Sequence, residues 1–275
     1  FAFLPARATD NPYLDASYLK SLEGLPEDMR KAFVEGNWDI FKGQYFKEWR
    51  RDLHVVAPFD VVNMLDTALA TYFIALDYGF NKPSAVYWMC KTKDNLVYVY
   101  RELYKNGLTF ENLTSEILAM TPIAELHKID YVVADPAIWA KRGETELSGA
   151  EIMEQTWNSR IKTQAMNLIR GDNNRLSGWG IIRDHLKPIL YQSKTIGKLQ
   201  VFSTCENLIR TLPSLVYSET RVEDLNSEGE DHAADAIRYG LMSNPQNKVA
   251  DQRSSYVQNK MLAEARQAIR KNTFR

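Results

Sequence analysis

The first sixty residues show no sustained periodicity. "LPEDMRKAFVEG" reads as one helix, with Pro26 near its start and Gly36 at its end, and Asp15 suits the cap of a shorter one before it. "GQYFKEWRRDLHVV" then reads as an extended linker. The pattern changes near residue 70. "TYFIALDYG" is a run of apolar and β-favouring residues ending in Asp77 and Gly79, as a buried central strand requires. "PSAVYWMCKT" and "NLVYVYRELY" predict two more strands, joined by a hairpin turn at "KTKDN", with the first strand of the three the most buried.

"TFENLTSEILAMTPIAEL" predicts an amphipathic helix capped by Thr109 or Asn112. "IDYVVADPA" predicts a fourth strand, which again ends in an aspartate, Asp135. The polar stretch "KRGETELSGAEIMEQTWNSRIKTQ" reads as partly helical and mobile. "LSGWGIIRDHLKPIL" predicts a helix stopped by Pro188, "KLQVFST" a fifth strand, and "CENLIRTLPSLVYS" and "EDHAADAIRYGLM" the closing helices. The order β-β-β-α-β-α-β-α-α implies an α/β fold: a mixed sheet of about five main strands, the first three a meander, with helices on both faces.

Composition narrows the classes. The 275 residues carry 34 basic and 35 acidic side chains, a net charge of −1, so any nucleic-acid binding must use local patches. Cys90 and Cys205 are the only cysteines, far apart, which argues against a disulfide framework and fits a reducing compartment. There is neither a long uncharged apolar run nor a signal-peptide pattern. The chain starts at Phe1 in mid-pattern and reads as a piece of a longer protein. Its end, from Asn244, is basic: Lys248, Arg253, Lys260, Arg266, Arg270, Lys271 and Arg275 stand against Asp251 and Glu264.

The chemistry concentrates in acids. Asp77 and Asp135 each end an apolar strand, and the carboxyl ends of parallel strands line functional crevices. If the first and fourth strands are parallel neighbours, the two carboxylates sit side by side. The helix starting near Glu230 adds Asp231, His232 and Asp235, where the pairs 232/235 and 231/235 each share a helical face. Two carboxylates about 5 Å apart repel by roughly 3 kcal/mol at an effective dielectric near 20, and a divalent cation reverses that sign. Oxygen ligands without cysteine point to Mg²⁺ or Mn²⁺, and an imidazole tilts toward Mn²⁺. Each residue singly has a plainer reading. A strand-terminal aspartate caps turns, Asp231 suits the helix dipole, His232 suits a structural role, and Asp235 suits a partner for Arg238.

At these residues the sequence resembles the nuclease domain of the large terminase subunit of tailed phages, an RNase H-like fold close to the RuvC resolvases. "IALDYGFNKPSAVYW" is similar to its first nuclease strand and "YVVADPA" to the strand with the second acid. "DHAADAIRYGL" is similar to the closing helix, and "LPARATDNPYLD" with "LPEDMRKAFVEGNWDIFKGQYFKEW" to the segment leaving the ATPase domain. The resemblance implies residues 1–60 as a linker, 61–244 as the nuclease domain and 245–275 as a basic tail. It implies a two-metal endonuclease that cuts concatemeric viral DNA during packaging in the host cytoplasm. Asp77, Asp135 and Asp235 would be catalytic, with Asp77, Asp135, Asp231, His232 and Asp235 as the candidate ligands of two Mg²⁺ or Mn²⁺ ions. Expected partners are double-stranded DNA, the ATPase domain, the small subunit and the portal, and no membrane. No G-x-x-x-x-G-K-[ST] occurs, so no nucleotide cofactor is expected for this chain. Lys82, Lys141, Arg142, Lys194 and Lys198 are candidate phosphate contacts, and Trp139 suits packing better than stacking on a base. A catalytically silent packaging adaptor and an actin- or sugar-kinase-like ATP-binding domain are the competing expectations. The second is disfavoured by Phe80, Lys82 and Pro83 in the loop where a phosphate cradle needs small residues.

Overall fold

The computed structural model describes residues 43–65, 70–141, 147–218, 223–226 and 229–243. The expected helices before residue 43, the basic tail, Glu228 and Arg142 lie outside them.

Nine strands are present among the described residues: β1 (Val55–Val56), β2 (Thr71–Asp77), β3 (Ser84–Lys91), β4 (Val97–Lys105), β5 (Ile129–Ala134), β6 (Leu168–Arg170), β7 (Pro188–Tyr191), β8 (Lys194–Gly197) and β9 (Leu199–Phe202). Seven form one sheet in the order β1-β9-β4-β3-β2-β5-β6, and β7 and β8 make a separate hairpin. The β2–β3–β4 meander is antiparallel, while β2–β5, β5–β6, β4–β9 and β1–β9 are parallel. The expected mixed sheet is therefore present, extended by two short edge strands. β3 is as deeply buried as β2, because both stand in the middle of the sheet.

Helices cover both faces. On one side lies α8 (His232–Met242), where a side chain at Gly240 would strike Met89 and Ala75. Trp88, one residue from Met89, points the opposite way by strand alternation. Its indole N–H donates to the Thr121 hydroxyl at 2.9 Å, just past α3 (Phe110–Met120). Thr109 is the cap of α3, accepting from the Asn112 amide. The single helix expected here is broken at Thr121–Pro122, and a short α4 (Ile123–Leu126) follows, because proline forces the preceding residue out of the helical region. The polar stretch after residue 147 forms α5 (Gly149–Arg160), closed by a capping box between Ser148 and Glu151.

The segment at 43–60 differs from the extended linker expected of it. Tyr45, Phe46 and Trp49 are buried in the core, and the Tyr45 amide donates to the Leu215 carbonyl at 2.7 Å. A helical turn, α1 (Arg51–His54), leads into β1 at the sheet edge, and α2 (Val61–Met64) follows. Aromatic residues spaced irregularly carry no period, yet three of them bury a large apolar area. The remaining helices are α6 (Arg175–Leu186) and α7 (Glu206–Thr211). No helix among the described residues is long and apolar enough to cross a membrane.

Candidate active site

Asp77 is the last residue of β2 and is 8% exposed. Asp135 follows β5 directly. The parallel register sets Leu76 against Ala134, and the Asp135 amide donates to the Leu76 carbonyl at 3.1 Å, so the two carboxylate-bearing residues are lateral neighbours. They share a face. Phe73 and Tyr131 stack at 5.1 Å on adjacent strands, and two-residue alternation carries that face from Phe73 to Asp77 and from Tyr131 to Asp135. It is the face that α8 covers. Asp135 Oδ1 accepts from the Ala137 amide at 2.9 Å, so the plain turn-capping role is also filled.

The start of α8 brings the third set of groups. His232 Nδ1 lies 2.8 Å from Asp77 Oδ2. Burial pushes the Asp77 carboxyl above its ordinary value; His232 opposes this, and the charges of Asp135 and Asp231 add to it. The His232 ring is raised, first by its hydrogen bond to Asp77. His232 Nε2 is buried and has no hydrogen-bond partner among the described residues. With the Nδ1 proton donated to Asp77, the neutral ring carries its lone pair on that unpartnered nitrogen.

Two arginines, Arg238 expected as a partner of Asp235 and Arg175 not foreseen, hold the remaining acids. Arg238, 1% exposed, donates from Nε and Nη2 to Asp235 Oδ1 at 2.9 and 2.7 Å, and from Nη1 to the Asp172 carbonyl at 2.8 Å. The sequence-level pairing of Asp235 with Arg238 is thus present. Burial pushes Asp235 up to about 6, against the pull of Arg238 and Arg175 and with Asp77 adding. Arg175, the first residue of α6, places its guanidinium 3.4 Å from Asp231, 3.7 Å from Asp235 and 3.6 Å from Asp224. Asp224 in turn accepts from the Trp179 indole at 2.9 Å. A cation in the first turn of a helix opposes the helix dipole. That mismatch is the sequence signal that could have marked Arg175 as paired with acids elsewhere.

The donor chemistry, carboxylate oxygens with one imidazole, is that of a hard divalent cation. The geometry is not a ready-made ligand sphere: among the described residues no three His, Cys, Asp or Glu groups converge as such a set. The reason is visible in the hydrogen bonds. Asp77 Oδ2 faces His232, Asp235 Oδ1 faces Arg238, and Arg175 stands before Asp231 and the second Asp235 oxygen.

The basic candidates divide. Lys82 is exposed in the β2–β3 loop, near enough to His232 for its charge to oppose protonation of the ring. Lys141 is exposed beyond the turn that Asp135 caps. Trp139 packs, with the Arg170 guanidinium 5.1 Å from its ring centre. Lys194 and Lys198 are not brought to the acids. Lys194 begins β8, beside the hairpin tip at Gln192–Ser193, where φ is 47° and 66°. The Lys198 carbonyl accepts from the Val97 amide. Val97 pairs with Lys91 and Tyr104 with Ala85, so Lys198 stands at the far end of β4 from Asp77, roughly 20 Å along the strands. Glu230 also lies outside the cluster, paired with Arg210 at 2.6 Å.

No protein-family model and no curated protein matches the chain. Solved structures do match in fold. The large terminase from a thermophilic bacteriophage superposes with a TM-score of 0.55 and 18% identity, covering 86% of this chain and 53% of that one. The same terminase in complex with ATP-γ-S gives 0.55 and 18%, over 86% and 54%. The P22 large terminase nuclease domain gives 0.51 and 18%, over 73% of this chain and 92% of that one. The chain therefore spans about half the length of the thermophilic phage terminase and nearly all of the P22 nuclease domain. Its fold is that of the RNase H-like terminase nuclease domains.

Proposed function

We propose that this chain is a divalent-metal-dependent DNA endonuclease of the terminase type, cutting concatemeric viral DNA in a packaging assembly. The observation that carries the reading is the placement of Asp77 and Asp135 on neighbouring parallel strand ends, with His232 bonded across to Asp77 from the start of α8. Asp77 and Asp135 would hold one ion and the 231–235 turn would help hold a second, with Mg²⁺ or Mn²⁺ as the natural choice for oxygen donors. When bound, such ions polarise the phosphodiester and acidify water.

The chain's own residues prepare that chemistry. Burial of Asp77 and Asp235 strengthens every charge interaction at the rim. His232 fixes the orientation of the Asp77 carboxylate. Arg175 and Arg238 keep the clustered acids from repelling one another before metal arrives. Lys82 and Lys141 supply positive charge on the side from which a phosphate backbone approaches. In the assembly, an ATPase domain, the small subunit and the portal would be the partners, and the host cytoplasm the place.

A second reading, a packaging adaptor that does not cut, draws on the guanidinium groups already seated before Asp231 and Asp235. Incubating supercoiled plasmid with the full chain in Mn²⁺, Mg²⁺ or EDTA separates the two. The nuclease reading expects nicked and linear product with either metal, none in EDTA and none from Asp77→Ala. DNA binding without cutting in any metal would favour the adaptor.

A further inference from the structure

The β2–β3 loop, "DYGFNKPS" from Asp77 to Ser84, is tied down at Tyr78, Gly79, Phe80 and Ser84. The Tyr78 ring stacks on Phe110 at 3.8 Å and its hydroxyl donates to the Leu108 carbonyl at 3.1 Å. The Gly79 amide donates to the Ser84 hydroxyl at 3.2 Å, and that hydroxyl donates back to the Gly79 carbonyl at 2.8 Å. Any side chain at Gly79 would strike the Lys82 and Pro83 carbonyl oxygens. The Phe80 carbonyl accepts from the Gly107 amide at 2.8 Å, where Gly107 takes a φ of 74°. Phe80, in the middle of this pinned stretch, is 51% exposed.

An exposed aromatic on a mobile loop carries no message, since isolated surface apolar groups are ordinary. Phe80 differs in two ways. Its backbone is fixed, so the ring is presented at little cost in ordering entropy. It also stands three residues after Asp77 and two before Lys82, whose side chain is exposed. One short rigid turn therefore offers a cation for phosphate and a π-face beside the acidic rim. Nucleic acid presents that same pair of features, an anionic backbone next to apolar sugar and base surfaces.

Building on the nuclease reading, we propose that Phe80 is a substrate-contact residue: its ring packs against the sugar and base edge of a nucleotide flanking the scissile phosphate, while Lys82 holds a neighbouring phosphate. The contact is sequence-tolerant, because every nucleotide offers a sugar and a π-face.

The test is anisotropy of a fluorescein-labelled duplex of about 30 base pairs, long enough to span a typical site, titrated with the full chain in EDTA at several salt concentrations, so that binding is read without cutting. Phe80→Ala is expected to weaken binding about tenfold, within the range of one aromatic–base contact, with the salt dependence unchanged and the melting temperature at the parent value. Phe80→Trp is expected to restore affinity. Lys82→Ala is expected to weaken binding and reduce the slope of log K against log salt by about one. Parent-like affinity of Phe80→Ala, within about twofold, would overturn the Phe80 contact and leave the nuclease reading standing. Absence of duplex binding by the parent chain would overturn the Phe80 contact, while plasmid cutting in Mn²⁺ decides the nuclease reading separately.

Discussion

His232 Nδ1 and Asp77 Oδ2, 155 residues apart in sequence, lie 2.8 Å from each other. This bond ties the first turn of α8 to the end of the central strand, and it decides which imidazole nitrogen remains available. A group that orients a ligating carboxylate typically contributes about 10- to 100-fold to metal affinity. His232→Ala is therefore expected to weaken Mn²⁺ binding by about that factor in calorimetric titration, with a parallel fall in plasmid cutting. Unchanged affinity would assign the imidazole to packing alone.

Metal binding should be strongly pH-dependent. Asp77 and Asp235 are both raised above their ordinary values by burial, Asp235 to about 6. A raised carboxylate contributes stability below its unfolded value near 4, and that contribution is lost as pH rises through the folded value. For Asp235 the loss is at most about 3 kcal/mol between pH 4 and 7. In EDTA the melting temperature should fall over that window from this source. Saturating Mn²⁺ should restore it above pH 6, where the carboxylates are free to bind. A metal effect as large at pH 5 as at pH 7.5 would contradict these shifts.

On the metal-dependent reading proposed above, Arg175 and a divalent ion would compete for Asp231 and Asp235. A single positive charge about 6 Å from a divalent ion costs about 1.4 kcal/mol even at the dielectric of water, a factor of about ten in binding. Arg175→Met is expected to tighten Mn²⁺ binding about tenfold and to lower the melting temperature in EDTA, where three aspartates lose their shared cation. Weaker Mn²⁺ binding in that variant would mean the guanidinium positions the acids for the ion.

Much of this site was legible in the sequence. Asp77 and Asp135 stand out because each closes a long apolar run, and a strand that is hydrophobic throughout must be central. The step from two strand ends to two neighbouring carboxylates needed the parallel β2–β5 pairing, which the pattern allowed but did not require. Asp224 was not legible as a member, since its association spans distant segments, and Arg175 offered only the mismatch of a cation in the first turn of a helix. β6 escaped notice for a simpler reason: three residues are too few to show alternation. Lys194 and Lys198 looked suitable by charge alone; Lys194 lies in the separate β7–β8 hairpin, and Lys198 at the end of β4 away from Asp77.

The aromatic cluster at the start of the described chain gives a stability prediction. Phe46 is fully buried, edge-on to Tyr45 at 5.0 Å and to Trp179 at 6.0 Å. Phe46→Ala is expected to cost about 3–5 kcal/mol, read as a lower urea midpoint with the slope unchanged. A cost under about 1 kcal/mol, the scale of an ordinary surface change, would return this segment to the role of a linker.

The convergence of Asp77, Asp135 and the 231–235 turn on divalent ions is most directly measured by anomalous scattering from a crystal of this chain soaked in Mn²⁺. The expected result is a peak bridging Asp77 and Asp135 at about 2.0–2.3 Å from a carboxylate oxygen of each, with a second ion against Asp231, His232 or Asp235. A fully soaked crystal with no peak between Asp77 and Asp135 would contradict the account.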